Sequence, residues 1–148
     1  MVSKKIKIIF LISISIFITY LILLIQNYSE IPELITTHID IKGQTDKQGS
    51  KNNLWIASSV NLGLLLIIGF LIKKPHLANF PIEITEKNKD IAYKNMQIFL
   101  SILSIIISSA FAYMVFKAIN YTHNYFYIMS ALILFPLTIL FFIKKKDD

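Results

Sequence analysis

Four stretches of about 20 residues that hold no charged side chain, 8–25, 54–72, 96–116 and 125–143, constrain this chain more than any other feature. At a helical rise of about 1.5 Å per residue each reaches roughly 27 to 32 Å, the thickness of a bilayer's hydrocarbon core. A backbone at that depth has no water to bond and must satisfy its own N–H and C=O groups. Helix therefore prevails over the strand propensity of the many β-branched isoleucines. The expected fold class is an all-α integral membrane protein: a four-transmembrane-helix bundle with a short extracellular strand and turn loop, residues 1–148 forming a single membrane domain. A hydrophobic share of 55% sets a water-soluble domain aside.

The first run follows Lys4, Lys5 and Lys7 and so resembles the start of a secretory signal peptide. Its apolar stretch is longer than a signal core, and residues 26–30 offer no pair of small side chains for cleavage, so an uncleaved first span is expected. With the N-terminus inside, the cytoplasmic segments hold Lys4, Lys5, Lys7, Lys73, Lys74, Lys87, Lys89, Lys94, Lys144, Lys145 and Lys146, against Lys42, Lys47, Lys51 and Lys117 outside. That bias predicts both termini on the cytoplasmic side. Tyr28, Trp55, Tyr113, Tyr121, Tyr125 and Tyr127 fall near the outer ends of their spans, where such rings sit at headgroup level. An outer loop, 26–53, and an inner loop, 73–95, are too long to be simple turns; the short link at 117–124 makes spans three and four an antiparallel hairpin.

In the outer loop Ile35, Thr37, Ile39 and Ile41 alternate with Thr36, His38, Asp40 and Lys42, the period of a half-buried strand. Gly43 and the Gln44-to-Ser50 segment carry turn chemistry. A lone short strand is unstable, so it should lie on the helix ends or pair with another. His38 and Asp40, roughly 7 Å apart on one strand face, could converge on an ion with Asp46 or Glu33 as third ligand. The simpler reading is a hydrogen-bonded surface histidine beside a carboxylate, and a pH-sensing His38 is physically allowed. In the inner loop Pro75 and Pro81 predict an extended first half. Thr85 then has the chemistry of an N-cap, with Glu86 in the first turn and Asp90 and Lys94 paired at i,i+4. A helix from Thr85 through Phe116 would be about 47 Å long, so its first turns project beyond the bilayer, either solvated or as a docking platform.

No Asp, Glu, Lys, Arg or His lies within a span, which disfavours a coupled transporter. Ser104, Ser108 and Ala112 recur at i, i+4 and i+8 with Ser101 beside them, and Ser59 and Gly63 repeat the small-residue spacing in span two; both are read as packing seams, with Asn61 placed to bond across. Pro136 should kink span four. All 15 basic residues are lysine, whereas bidentate phosphate recognition favours arginine, so no nucleic-acid partner is expected. The absence of cysteine excludes disulfides and thiolate metal sites. With no nucleophile elbow, phosphate loop or paired-histidine motif, an enzyme is the weakest class, and no cofactor is expected.

Pro32, His38, Gly43, Asp46, Ser50 and Lys51 fall in register with a pattern that resembles a bacterial membrane domain of unknown function, the domain that also forms the N-terminal part of SdpI-type immunity proteins. Asn79, Phe80 and Pro81, with Thr85, Glu86, Asn88 and Tyr93, look like that family's second conserved stretch. Thr36, Ile39, Asp40 and Gln48 depart from the pattern, and the additional spans of the SdpI C-terminal domain have no counterpart. The resemblance implies a multi-pass, SdpI-like protein of the bacterial cytoplasmic (inner) membrane, its outer loop meeting a secreted peptide or toxin. The alternatives are an assembly partner of another membrane protein, docking through the serine seam, or a small transporter subunit acting as an oligomer.

Overall fold

The computed structural model describes residues 2–39 and 45–119, with the backbone alone for 36–39 and 45–47. It is mostly helical: α1 Lys4–Asn27, α2 Asn53–Lys73 and α3 Lys89–Ala118 are each long and apolar enough to cross a membrane. The fourth run, 125–143, with Pro136 and most of the link before it, lies outside the described residues, as do Asp40 and Gly43.

Each helix begins or ends beyond its apolar run, because polar groups at the ends satisfy backbone that the membrane could not. Ser3 caps α1, its hydroxyl accepting from the Ile6 amide at 3.3 Å, so the helix starts with Lys4 and carries all three N-terminal lysines. At the other end Asn27 donates to the Leu23 carbonyl at 2.8 Å. α3, at 30 residues, is about 45 Å long and exceeds a bilayer core by several turns.

The start of α3 differs from the expectation. Thr85 does not cap it; the helix begins at Lys89 with Asn88 as the preceding residue. The Asn88 amide bridges the connection instead, its Oδ1 accepting from the Thr85 N–H at 2.8 Å and its Nδ2 donating to the Glu83 carbonyl at 2.9 Å. The Thr85 carbonyl accepts from both Asn88 and Lys89, which holds residues 86–88 as a turn rather than a first helical turn. Asn88→Ala should cost about 1 kcal/mol locally, seen as roughly fivefold faster amide exchange over 83–91. Asn88→Asp, which keeps the acceptor, should retain part of the protection; equal exchange in all three forms would show that Asn88 does not hold this turn. Pro75 also departs from the extended expectation, opening a single 3-10 turn, Pro75–Leu77, directly after α2.

Between α1 and α2 the strand expected from the alternating pattern forms as β1, Leu34–Ile39, and finds a partner. β2, Thr45–Ser50, pairs with it antiparallel, although its sequence carries turn residues; Gly49 lies opposite Ile35 and Ser50 opposite Leu34. Pairing satisfies a backbone that weak strand propensity alone would leave open. Strict alternation is not kept: the register shifts between Thr36 and His38 and again between His38 and Ile39. His38 stands opposite Lys47, while Thr37 and Asp46 have no opposite number in the ladder.

α3 packs against both α1 and α2, which touch each other far less. Ile12, Ile16, Phe17, Tyr20 and Leu24 of α1 are buried with Leu54 and Leu65 of α2 and Ala112, Val115 and Phe116 of α3. A second cluster joins Ile6, Ile68, Ile72 and Leu100. α1 and α2 meet where the Phe10 ring crosses Gly69; a Cβ there would come within 3.1 Å of the ring. The seam expected at Ser59 and Gly63 is not among these contacts. Ser59 is exposed and bonds the Trp55 carbonyl of its own helix, and a Cβ on Gly63 would meet nothing within 4 Å. The buried stripe of α2 runs instead through Leu54, Ser58, Asn61, Leu65, Ile68 and Ile72. The physical reason is that α1 and α3 both converge on the Asn61 face.

Candidate functional site

The hairpin is rooted on the helix ends by Lys51, which follows β2 directly. Its side chain is only 13% exposed, and Nζ donates to the Ile31 carbonyl at 3.3 Å, pairs with Glu33 Oε1 at 2.9 Å and lies 4.9 Å from the centre of the Tyr28 ring. The Lys51 amide bonds the Glu33 carbonyl at 3.0 Å, continuing the ladder below Leu34 and Ser50. Tyr28 in turn donates to Asn52 Oδ1 at 2.5 Å and packs on Trp55, ring centroids 5.3 Å apart. Because an ammonium with three donors needs partners once desolvated, the carbonyl, carboxylate and ring together make this corner a specific joint. Pro32 is exposed at the bend between buried Ile31 and β1 and lacks an amide, so no donor is lost there.

Of the other hairpin residues that the sequence points to, His38 stands opposite Lys47 and Asp46 lies within β2 without a ladder partner, each described by its backbone, and Asp40 and Gly43 fall outside the described residues. Among the described residues no three His, Asp or Glu side chains converge as metal ligands. Glu33, the alternative third ligand, is engaged by Lys51 at the root of the hairpin.

The α2–α3 connection gathers its singled-out residues differently. Phe80 stacks obliquely on Tyr93, centroids 5.6 Å apart, which folds the connection onto the first turns of α3. Asn79, Phe80, Pro81 and Ile82 then face Ala92, Asn95, Met96 and Phe99 across a cleft of about 440 Å³. Thr85 and Asn88 lie outside that cleft and shape the turn that leads into the helix.

A third set is buried at the helix crossings. Asn61 donates to the Tyr20 hydroxyl at 2.9 Å, and its Oδ1 lies 3.4 Å from the Ser108 hydroxyl, so one amide links all three helices. The hydroxyls of Ser104 and Ser13 are 3.0 Å apart, and Ser101 bonds the Gln97 carbonyl at 2.8 Å. Gln97 donates to the Ile72 carbonyl at 2.8 Å, satisfying an acceptor at the last turn of α2. Gln97, Ser101, Ser104, Ser108 and Ala112 therefore form one buried stripe along α3 at steps of four, three, four and four residues. Among the described residues no buried side-chain nitrogen or oxygen lacks a hydrogen bond. Such groups have few alternatives in hydrocarbon, and this ladder fits interhelical cohesion better than a wet path.

No family model matches this chain, and no curated protein or solved structure matches it significantly. The sequence alone does not point to Tyr20 or Ser13, because nothing in spacing couples Ser13 to Ser104 or Tyr20 to Asn61; for Gln97 its one signal is a lone amide at the head of an apolar run. Lys51 was singled out as part of a motif, and its joint with Tyr28 and Glu33 emerges only in three dimensions. Of the α3 serines, Ser104 meets Ser13 of α1 and Ser108 meets Asn61 of α2.

Proposed function

We propose that this is a non-enzymatic, SdpI-like protein of the bacterial cytoplasmic membrane, spanning it four times with both termini inside, whose outer hairpin recognises a secreted peptide toxin or the envelope component that the toxin acts on. The observation that carries this reading is the joint at Lys51: a hairpin held firmly at its base, with neither strand given a second neighbour among the described residues. An open strand edge supplies a row of unpaired main-chain donors and acceptors, on which an extended peptide can add as a further strand. Recognition through main-chain bonds needs no catalytic group, and neighbouring side chains supply selectivity. The lysine asymmetry supports the orientation, and the length of the run at 125–143 supports the fourth span.

The test is a deletion strain challenged with secreted peptide toxins and complemented with the native chain, His38→Ala or Asp46→Ala. Sensitivity of the deletion strain, rescued by the native gene and at least tenfold less by the variants, is the expected result. Undiminished resistance of the deletion strain would remove the immunity reading, and full rescue by both variants would remove the hairpin as its site. Orientation is checked separately in a chain that has no cysteine: an impermeant thiol reagent should label Ser50→Cys and spare Asn88→Cys in intact cells. The reverse pattern would invert the topology.

A further inference from the structure

The helices alternate in direction, so the start of α1, the end of α2 and the start of α3 lie at one end of the bundle. That end carries Lys4, Lys5, Lys7, Lys73, Lys74, Lys87, Lys89 and Lys94, against Glu83, Glu86 and Asp90. The cleft of about 440 Å³ opens there. Its helical wall, Ala92, Asn95, Met96 and Phe99, follows the i, i+3, i+4, i+7 spacing of one face and passes from the hydrated turns of α3 into its apolar run. Asn79 and Asn95 are the polar lining; Phe80, Pro81, Ile82, Met96 and Phe99 supply an apolar floor. Phe99 and Ile82 are more than half exposed, which water would disfavour and lipid would not.

We propose that this cleft binds an anionic phospholipid, one acyl chain lying along Met96 and Phe99, the ester region meeting the two asparagine amides, and the phosphate held by the lysines of this end of the bundle, Lys89 first among them. The volume suits a single chain, being at the lower end of the roughly 300–1,000 Å³ range of ligand clefts. The charge of this end selects the headgroup: Lys89, one turn before Ala92, makes only a 3.6 Å pair with a Glu86 that is itself almost fully exposed, a contact that a phosphate displaces at little cost. Lysines at a membrane surface favour anionic over zwitterionic lipid by about fivefold each. The inference rests on the membrane reading of the helices alone and is independent of toxin recognition and of which side the hairpin faces.

The experiment uses the full chain, purified and reconstituted with Trp55→Phe so that a single introduced tryptophan reports. Phe99→Trp places it in the cleft, and Ile67→Trp places it on the exposed face of α2 beside Ile68, which shares a buried cluster with Leu100, the neighbour of Phe99. Each protein is titrated in vesicles with dibrominated phosphatidylglycerol or dibrominated phosphatidylcholine, whose bromines quench a ring that they touch. At Phe99→Trp the anionic lipid should be preferred at least about fivefold over its preference at Ile67→Trp, and Lys89→Gln should abolish the difference. Equal preference at both positions would reduce the cleft to ordinary lipid contact. Weak quenching by both lipids at Phe99→Trp alone would mean that protein, a second copy or the chain's own C-terminal segment, fills it. A preference that survives Lys89→Gln would remove that lysine as the phosphate site. Each of these three results overturns the proposal.

Discussion

Ser104→Leu should destabilise the helix bundle by about 3 kcal/mol, lowering its thermal midpoint in detergent by roughly 10 °C. Ser104 is fully buried on α3, its hydroxyl 2.7 Å from the Ser101 carbonyl and 3.0 Å from the Ser13 hydroxyl. Lipid tails are as apolar as leucine, so these helices are not driven together by escape from water; close packing of small residues and interhelical hydrogen bonds do that work. A leucine at the crossing forces α1 away and leaves Ser13 without its neighbour on α3. Asn61→Ala, which keeps the packing distance but removes the link to Tyr20 and Ser108, should cost less, about 1 kcal/mol. Ser59→Leu is the informative comparison, since it inserts the same bulk into a site with the same spacing motif but no buried neighbour. Its effect should stay within about 0.5 kcal/mol. Equal losses from Ser59→Leu and Ser104→Leu, read by thermal unfolding of the purified proteins, would contradict the assignment of which seam is packed.

Lys51→Met should release the hairpin while leaving the helices folded. The substitution keeps most of the buried stem but removes the bond to the Ile31 carbonyl, the contact with the Tyr28 ring and the pair with Glu33. Glu33 is 82% exposed, so the ion pair itself contributes less than about 1 kcal/mol; the carbonyl bond and the ring contact supply about as much again each. A total of about 2 kcal/mol corresponds to roughly thirtyfold faster exchange of the amides in β1 and β2, with the thermal midpoint of the helices little changed. Glu33→Gln should show only a few-fold increase. Exchange in Lys51→Met that matches the native chain would mean that the strands are held by something other than this joint, and the recognition reading would lose the observation it rests on.

The departures from the sequence-based expectation share a cause. At the start of α3, Thr85 has the chemistry of an N-cap, but Asn88 has two hydrogen-bonding functions where Thr85 has one, and it uses both to tie Glu83 to Thr85. In the hairpin, turn residues such as Gly49 become strand because β1 already stands beside them with unpaired amides. In α2, the small residues Ser59 and Gly63 have the spacing of a seam, whereas the larger Asn61 occupies it. In each case a local preference worth a few tenths of a kcal/mol to about 1 kcal/mol yields to partners supplied from elsewhere in the chain.

What the sequence by itself determined is the class of solution: uncharged runs of membrane length that can be only helices, flanked by lysines and aromatic rings that mark their ends, with a strand-like connection and a stripe of small residues along α3. Those properties follow from composition and period, which act on every residue of a segment alike. Only the tertiary structure decided which face of α2 is buried, that Asn61 joins Tyr20 to Ser108, that Lys51 closes onto Tyr28 and Glu33, and that Asn79–Ile82 and the face of α3 leave a cleft between them. The bonds among these join single groups from 18 residues apart, Lys51 and Glu33, to 47 apart, Asn61 and Ser108, and form only after the helices have come together, so no short window along the chain contains both partners.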